Sequence, residues 1–173
     1  WIPSPHFKAD TFHTTHGRAI AFATGAKLYN PKLRIMVISG DGDLSSIGGN
    51  HLIHAARRDI DIKVVCANNM IYGMTGGQVA ATTPVGSTTS TTPLGNPDRP
   101  FDLCKLVEAA GARYVARYSV TQPMALMEGM KGCGGCHKLG VKSKAEIADL
   151  KEQGASFGHA SCDVCHTRHT FSV

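Results

Sequence analysis

The stretches LRIMVISGDGD (residues 33–43) and IDIKVVCANNM (residues 60–70) determine the fold that we expect for this chain. Each contains a short run rich in Ile and Val, which is typical of a buried β-strand, and each ends in small polar residues. A third strand is expected over residues 113–118. Helical patterns separate and follow the strands, over residues 18–29, 50–58, 101–110 and 122–131. This alternation predicts an α/β fold, a mostly parallel sheet with flanking helices.

The polar residues that follow the first two strands form a candidate binding site. Ligands of parallel sheets lie beyond the carboxyl ends of the strands, so Asp41 and Asn69 are expected to converge there as oxygen ligands of one Mg²⁺. This ion prefers oxygen and is commonly completed by phosphate oxygens. Gly40 and Gly42 would let the backbone approach a diphosphate closely, and the next helix would offer amides to the anion. Either motif alone is better interpreted as a turn or a loop, but together, each at a strand end, they predict a metal–diphosphate site.

Two segments depart from this alternation. Residues 75–100 form a Gly-, Thr- and Pro-rich stretch without periodicity, and connections of this length are usually functional or disordered. Near Lys131 the composition changes, because four of the six cysteines and four of the nine histidines follow it in a short polar stretch. We therefore expect two domains, residues 1–131 and residues 132–173, of which the second is small and mainly irregular or helical.

Charge and hydropathy argue against several other classes of protein. Lys and Arg exceed Asp and Glu only modestly, 18 against 13, and they are scattered along the chain. Nucleic-acid binding requires a basic face with stacking aromatics, so we expect none. No apolar run approaches the ~20 residues that span a bilayer, and residues 1–5 lack the features of a secretory signal. The chain begins without Met, as a fragment or a processed product would.

The motifs of the first domain resemble those of the β subunit of 2-oxoacid:ferredoxin oxidoreductases, which are thiamine diphosphate enzymes. The stretches that carry the resemblance are HTTHGR (13–18), GDGD (40–43), GGNH (48–51), NNMIYGMTGGQ (68–78), TTP (91–93) and RPFDLC (99–104). They cover about the first three quarters of the chain, and the 2-oxoglutarate type is the most similar. The resemblance implies that residues 13–123 form the diphosphate-binding module of such an enzyme.

The resemblance also implies an activity, cofactors and residue roles. The activity would be oxidative decarboxylation of a 2-oxoacid to an acyl-CoA, with thiamine diphosphate and Mg²⁺ as cofactors. Asp41, Asn69 and the backbone carbonyl of Ile71 would hold Mg²⁺. His16 would be the catalytic residue near the cofactor, although both it and His13 could instead be polar residues at a helix start. The residues that line the cofactor would be Gly40, Gly42, Asp43, Gly73 and Met74.

The same resemblance implies partners that this chain lacks. An α subunit would supply the rest of the cofactor site, coenzyme A would accept the acyl group, and ferredoxin or another redox partner would take the electrons. The family's cluster-binding cysteines fall outside the matching region. Cys66 and Cys104 are expected to be small buried hydrophobic residues rather than ligands. We therefore expect weak cofactor binding and no complete reaction by this chain alone.

The second domain contains two C-x-x-C-H motifs, at residues 133–137 and 162–166. This motif attaches c-type haem, with two thioethers and one axial histidine, and here it would use Cys133, Cys136, Cys162, Cys165, His137 and His166. His159 and His169 would be distal ligands. The alternatives are a zinc site with two C-x-x-C pairs and a pair of disulfides. Residues 161–172 resemble hydroxylamine-oxidoreductase-like multihaem cytochromes c, which implies haem attachment and electron transfer.

The two resemblances imply different compartments. The oxidoreductase part would be cytoplasmic, whereas covalent haem would place the tail outside the cytoplasm. The sequence therefore leaves open a chimeric or designed chain, and a natural fusion in which haems replace the family's iron–sulfur cluster. The functional alternatives are a multihaem cytochrome c-type electron carrier, and an inactive α/β remnant with a zinc-binding tail, because a fold does not secure a function.

Overall fold

A computed structural model describes the fold over residues 9–135 and 161–166. Short helices alternate with strands through most of this range, as the hydrophobic patterning predicts. In chain order the elements are α1 (Ala19–Tyr29), β1 (Met36–Gly40), a π-helical segment (Asp43–Ile47), α2 (Gly49–Arg57), β2 (Lys63–Asn68), β3 (Ile71–Tyr72), β4 (Gln78–Val79), α3 (Leu103–Ala109), β5 (Tyr114–Ser119), α4 (Pro123–Gly135) and β6 (Ser161–His166).

The main sheet has four described strands in the order β1-β2-β6-β5. β1 and β2 are parallel, with Met36 opposite Lys63 and Gly40 opposite Ala67. β6 is antiparallel to both β2 and β5, so β1, β2 and β5 all run in the same direction. The predicted α/β architecture with parallel strands and flanking helices is confirmed. We expected an irregular or helical tail, so strand β6 was not predicted.

The core lies between the sheet and helices α1, α2 and α3. Its buried side chains are mainly aliphatic, and those most fully enclosed include Ile62, Val64 and Val107. One ion pair is also buried beside this core, between Lys27 and Asp61 at 2.7 Å. Nζ of Lys27 also donates to the carbonyl of Leu33 at 2.7 Å, so the charge of this lysine is satisfied where α1 packs beside the sheet.

The ends of the elements differ from the predicted ones for local reasons. β1 begins at Met36 rather than Leu33 because the amide of Leu33 bonds to the carbonyl of Asn30 in a turn. β2 begins at Lys63 because the Ile62 amide bonds to the carbonyl of Ile60 at 2.8 Å. The π-helical segment between β1 and α2 was not predicted, since its five residues carry no periodic pattern of their own.

The predicted second domain is described only in part. α4 continues past Lys131 to Gly135, and β6 lies within the main sheet. Residues 136–160 and 167–173 of the predicted second domain lie outside the described residues, and the division at Lys131 stays a prediction. Within the described part of the chain, no helix combines the length and apolar character needed to cross a membrane.

Candidate functional site

Asp41 follows β1 directly and is 1% exposed. Its Oδ1 accepts a hydrogen bond from the amide of Asn69 at 3.3 Å, and its Oδ2 accepts one from the hydroxyl of Thr82. The Ser45 hydroxyl donates to the backbone carbonyl of Asp41 at 2.5 Å. Among the side chains that the structure describes, no Lys, Arg or His forms an ion pair with this carboxylate. Asp41 therefore combines deep burial with uncharged donors only.

Asn69 follows β2, and the structure brings it beside Asp41 as the parallel arrangement predicts. Its side-chain Oδ1 accepts a hydrogen bond from the Ile71 amide at 3.3 Å, which closes a tight turn. Within this turn Met70 adopts φ +63°, a left-handed conformation that is uncommon for residues with a side chain. A Cβ atom at Gly73 would lie 2.6 Å from Nδ2 of Asn69. A glycine at position 73 therefore preserves the position of the Asn69 amide.

Tyr72 joins the two halves of the site. Its hydroxyl donates to the carbonyl of Gly42 at 3.0 Å, and its ring packs so closely on Gly42 that a Cβ atom there would lie 2.7 Å from the nearest ring carbon. Gly40 is different, since a Cβ atom at that position would meet nothing within 4 Å. The glycine at position 42 is thus required by packing within the chain, whereas Gly40 borders open space.

Asp43 lies at the start of the π-helical segment and faces the chain that precedes α1. Its Oδ1 lies 2.5 Å from Nδ1 of His16 and accepts the amide of Gly17 at 2.6 Å, while its Oδ2 accepts the hydroxyl of Ser39. Gly17 has φ +72°, and a side chain there would overlap Ile47. Both oxygens of Asp43 are therefore occupied by donors from this chain.

The remaining predicted site residues have the following positions. Ile71 is in β3, and Met74 is exposed in the turn that leads to β4. Cys66 is buried in β2, as predicted, and Cys104 is partly buried on α3. For haem attachment, Cys133 lies on α4, and Cys162, Cys165 and His166 lie on β6. Cys136 and His137 lie outside the described residues, so haem attachment stays a prediction.

The residues at the strand ends fit a divalent cation with a phosphorylated ligand. A buried carboxylate normally pairs with a charge or coordinates a metal, and Asp41 has no charged partner among the described side chains. Carboxylate, amide and carbonyl oxygens are the donors that Mg²⁺ accepts, with phosphate oxygens and water completing the octahedron. The described residues contain no cluster of three or more His, Cys, Asp or Glu side chains suited to a metal. The ligands other than Asp41 would therefore have to be amide or carbonyl oxygens, phosphate oxygens and water.

Sequence reasoning missed several residues that build the site. Four side chains hydrogen-bond to residues that follow β1 or β2. Thr82 donates to Asp41, Thr83 to the carbonyl of Met70, Tyr72 to the carbonyl of Gly42, and Ser39 to Asp43. The Thr residues lie in the long stretch that has no periodicity, and their contacts span many residues of sequence. The only available signal was that a long connection between strands is often functional.

Comparisons with known proteins identify relatives of this chain. The 2-oxoglutarate synthase subunit KorB of Methanothermobacter marburgensis is 57% identical over 126 residues, which cover 73% of this chain and 44% of that protein. The 2-oxoglutarate oxidoreductase subunit KorB of Mycobacterium tuberculosis is 50% identical over 106 residues, or 61% of this chain and 28% of that protein. The chain thus spans less than half the length of these relatives.

A solved structure is also similar, the 2-oxoglutarate:ferredoxin oxidoreductase from Magnetococcus marinus with 2-oxoglutarate, coenzyme A and succinyl-CoA bound. It matches with a TM-score of 0.61 and 41% identity, over 64% of this chain and 38% of that chain. These similarities confirm the resemblance of the first part to such β subunits, and none of them supports the resemblance of the tail to multihaem cytochromes. The family model "Thiamine pyrophosphate enzyme, C-terminal TPP binding domain" matches residues 2–142. The chain therefore belongs to this family of thiamine pyrophosphate (thiamine diphosphate) enzymes.

Proposed function

We propose that this chain is the cofactor-binding part of a β-type subunit of a 2-oxoacid:ferredoxin oxidoreductase, with 2-oxoglutarate as the 2-oxoacid. The observation that carries the proposal is the buried Asp41 carboxylate, which lies beside Asn69 and has no charged partner among the described side chains. The choice of 2-oxoglutarate is supported by the relatives, since those described above are named for that substrate.

In this proposal the strand ends hold Mg²⁺ and the diphosphate. Asp41, Asn69 and the carbonyl of Ile71 provide the oxygen ligands, and the cation offsets the negative charge of the diphosphate. Gly73 keeps the Asn69 amide in place. The Tyr72 hydroxyl, bonded to the Gly42 carbonyl, keeps the two strand ends together. Thiamine diphosphate, when bound, supplies the electron sink that decarboxylation of a 2-oxoacid requires.

His16 has a separate role in the proposal. Its Nδ1 faces the Asp43 carboxylate, so Nε2 is the nitrogen available to exchange a proton or to donate a hydrogen bond. A carboxylate that orients an imidazole in this way fixes its tautomer and direction, which general acid–base chemistry requires. Because its oxygens are already engaged, Asp43 serves the site through His16 and Gly17 rather than by touching the diphosphate.

The proposal includes partners outside this chain. An α subunit would complete the cofactor site, ferredoxin or another redox protein would accept the electrons, and coenzyme A would take the acyl group. The chain spans less than half of its named relatives, so we do not expect it to complete the reaction alone. Binding of the cofactor is therefore a better test than turnover.

Calorimetric titration with thiamine diphosphate, with and without Mg²⁺, tests the proposal. We expect binding that depends on Mg²⁺ and that Asp41→Ala abolishes, because the variant removes the only acidic ligand. Asp98→Ala is the matched control, since this residue is an exposed aspartate of the loop that follows the site. Equal heats with and without Mg²⁺, or unchanged binding by Asp41→Ala, would contradict the proposed function.

Electron transfer through haem in the tail is a second, independent candidate function. It rests on the doubled C-x-x-C-H motif at residues 133–137 and 162–166. A pyridine haemochrome spectrum of the purified chain tests it, and replacement of Cys162 and Cys165 by Ser should remove half of the haem signal. A chain without haem that contains about one zinc ion by elemental analysis would support the zinc alternative.

A further inference from the structure

Residues Ala80–Thr83 form a buried turn in the long Thr-rich connection, and the proposed function does not yet account for it. Ala80 and Thr82 are each 5% exposed, and Thr83 is 1% exposed. Hydroxyl groups buried this deeply require hydrogen-bond partners. The partners found here belong to the two strand ends that form the candidate site, although the turn lies far from both in sequence.

The turn makes one hydrogen bond to each of three segments around the site. Thr82 donates its hydroxyl to Oδ2 of Asp41 at the end of β1. Thr83 donates its hydroxyl to the carbonyl of Met70, after β2, at 2.5 Å. The amide of Ala81 donates to the hydroxyl of Ser46 in the π-helical segment at 3.2 Å. These contacts connect the ends of β1 and β2 with the π-helical segment.

The turn is itself held rigidly. The amide of Ala80 donates to the Thr83 hydroxyl at 2.9 Å, and the Thr83 amide donates back to the Ala80 carbonyl at 3.0 Å. The amide group of Asn96, which is also buried, donates to the Thr83 carbonyl at 2.8 Å. Phe101 closes the segment with a 2.7 Å hydrogen bond to the Ala81 carbonyl. The backbone of the turn and the Thr83 hydroxyl are thus held by contacts within this chain.

The two oxygens of Asp41 differ as a result. Oδ2 receives the Thr82 hydroxyl, whereas the 3.3 Å contact with the Asn69 amide is the hydrogen bond that Oδ1 accepts among the described residues. A hydroxyl that donates to one carboxylate oxygen holds the group's plane and leaves the other oxygen to ligate a cation. Thr83 acts in parallel on the second half of the site, because the Met70 carbonyl that it holds belongs to the strained turn between Asn69 and Ile71.

We propose that Thr82 and Thr83 are positioning residues of the metal site, which direct Oδ1 of Asp41 and the oxygens of Asn69 and Ile71 toward one cation. This inference rests on the proposed function and adds to it the support of the metal ligands. Removal of such supporting hydrogen bonds from a metal ligand typically lowers metal affinity 10- to 100-fold. Neither threonine needs to touch the cation or the cofactor.

Titration of the full chain with Mn²⁺, followed by electron paramagnetic resonance in the presence of thiamine diphosphate, tests the inference. Thr82→Val and Thr83→Val should each weaken Mn²⁺ binding by about 10-fold or more, and Thr82→Ser should restore it to within about threefold of the wild-type value. Thr121→Val is the matched control, because Thr121 is buried and its hydroxyl pairs with that of Ser119 rather than with a proposed metal ligand. It should bind Mn²⁺ as the wild type does.

A second measurement without metal or cofactor shows whether the hydroxyl acts through Asp41. Melting temperatures of Thr82→Val, Asp41→Asn and the double variant should be non-additive, because the hydroxyl loses its charged acceptor once Asp41 is neutral. Should Thr82→Val not fold, Thr82→Cys serves instead, since a thiol is similar in size and only a weak donor. Additive shifts together with unchanged Mn²⁺ affinity would overturn the inference.

The outcomes separate this inference from the proposed function. If the wild-type chain binds Mn²⁺ no more tightly with thiamine diphosphate than without it, the proposed function fails, and the inference fails with it. If the wild type binds in a cofactor-dependent manner and the Thr82 and Thr83 variants bind equally well, only the inference fails. Weak binding by the valine variants, with recovery in Thr82→Ser, supports both.

Discussion

Asp41 and Asp102 are two aspartates at element ends, and their surroundings differ in burial and in the donors that reach each carboxylate. Asp102 begins α3 and accepts hydrogen bonds from the amides of Cys104 and Lys105 at 3.1 and 3.4 Å. It also accepts one from Arg117 at 2.6 Å. Asp41 is more deeply buried, and its donors within the described part of the chain are neutral. The charge of Asp102 is paired within the chain, whereas Asp41 has no charged partner among the described side chains.

The pKa of Asp102 reflects the donors that surround its carboxylate. Burial raises the pKa of this carboxyl, but the hydrogen bond and charge of Arg117 and the amides of Lys105 and Cys104 outweigh that effect, so its pKa lies below the ordinary value of 3.8. Asp43 resembles Asp102 more than Asp41, since it faces His16. Among the described side chains, Asp102 and Asp43 each face a basic group, whereas Asp41 faces none.

The largest expected effect concerns the response of stability to the cofactor. At 100 times the dissociation constant, Mg²⁺ and thiamine diphosphate should raise the free energy of unfolding by about 2.7 kcal/mol. Asp41→Asn should lose this gain entirely, whereas Asp102→Asn, which remains a good helix cap, should keep it. Chemical denaturation with and without ligand measures both variants. A full response by Asp41→Asn would erase the distinction between the two aspartates.

Asp43→Ala tests whether the charge of Asp43, like that of Asp102, is paired within the chain. The variant should lower the free energy of unfolding by about 2 kcal/mol without any ligand, because it removes charge-assisted hydrogen bonds to His16 and Gly17. Urea denaturation of the ligand-free chain checks this value. Ser39→Ala, which removes a single neutral donor to the same carboxylate, should show a smaller loss. An unchanged free energy of unfolding in Asp43→Ala would contradict this pairing.

The glycines on either side of Asp41 should respond differently to alanine. Gly42→Ala should destabilise the chain by about 1.5 kcal/mol, in the range for overpacked sites, because its methyl group would overlap the Tyr72 ring. Gly40→Ala is the matched control and should change stability by no more than about 0.5 kcal/mol, since nothing lies within 4 Å of the added atom. Thermal denaturation in the absence of ligand distinguishes the two variants.

The smallest effect is expected at the helix cap. Asp102→Ala should lower the free energy of unfolding by about 1 kcal/mol at neutral pH, with little added by the exposed ion pair to Arg117. Because the folded-state pKa of Asp102 is depressed, its contribution is present above the ordinary carboxyl value of 3.8 and is lost as the pH falls through the lower folded value. Denaturation of the wild type and of Asp102→Ala across this pH window should show their free energies of unfolding converging in acid. A constant difference would contradict the assignment.

Part of this structure followed from local sequence patterns. Strands β1, β2 and β5 and the four α-helices could be located to within a few residues, since runs of Ile and Val and helical periodicity report burial directly. The juxtaposition of Asp41 and Asn69 followed from one further rule, that parallel strands end at the same edge of a sheet. The burial of Cys66 could be foreseen because apolar residues surround it in the strand.

The remaining features could not be predicted because they depend on tertiary contacts. Thr82 meets Asp41 across 41 residues of sequence, and nothing in its own neighbourhood distinguishes it from the many other threonines of the connection. The Tyr72 ring on Gly42 is likewise a contact between the two motifs rather than a property of either. β6 was missed because its residues were interpreted by their cysteine spacing rather than by their place in a sheet.

The left-handed backbone of Met70, held by the Thr83 hydroxyl, restricts which amino acids evolution or engineering can place at the position after Asn69. Glycine and asparagine tolerate such dihedral angles, whereas β-branched residues resist them. A library that randomises position 70 should therefore be depleted of Val, Ile and Thr even in the absence of selection for catalysis. The set of amino acids tolerated at this position would then reflect backbone geometry rather than the side chain's contact with any substrate.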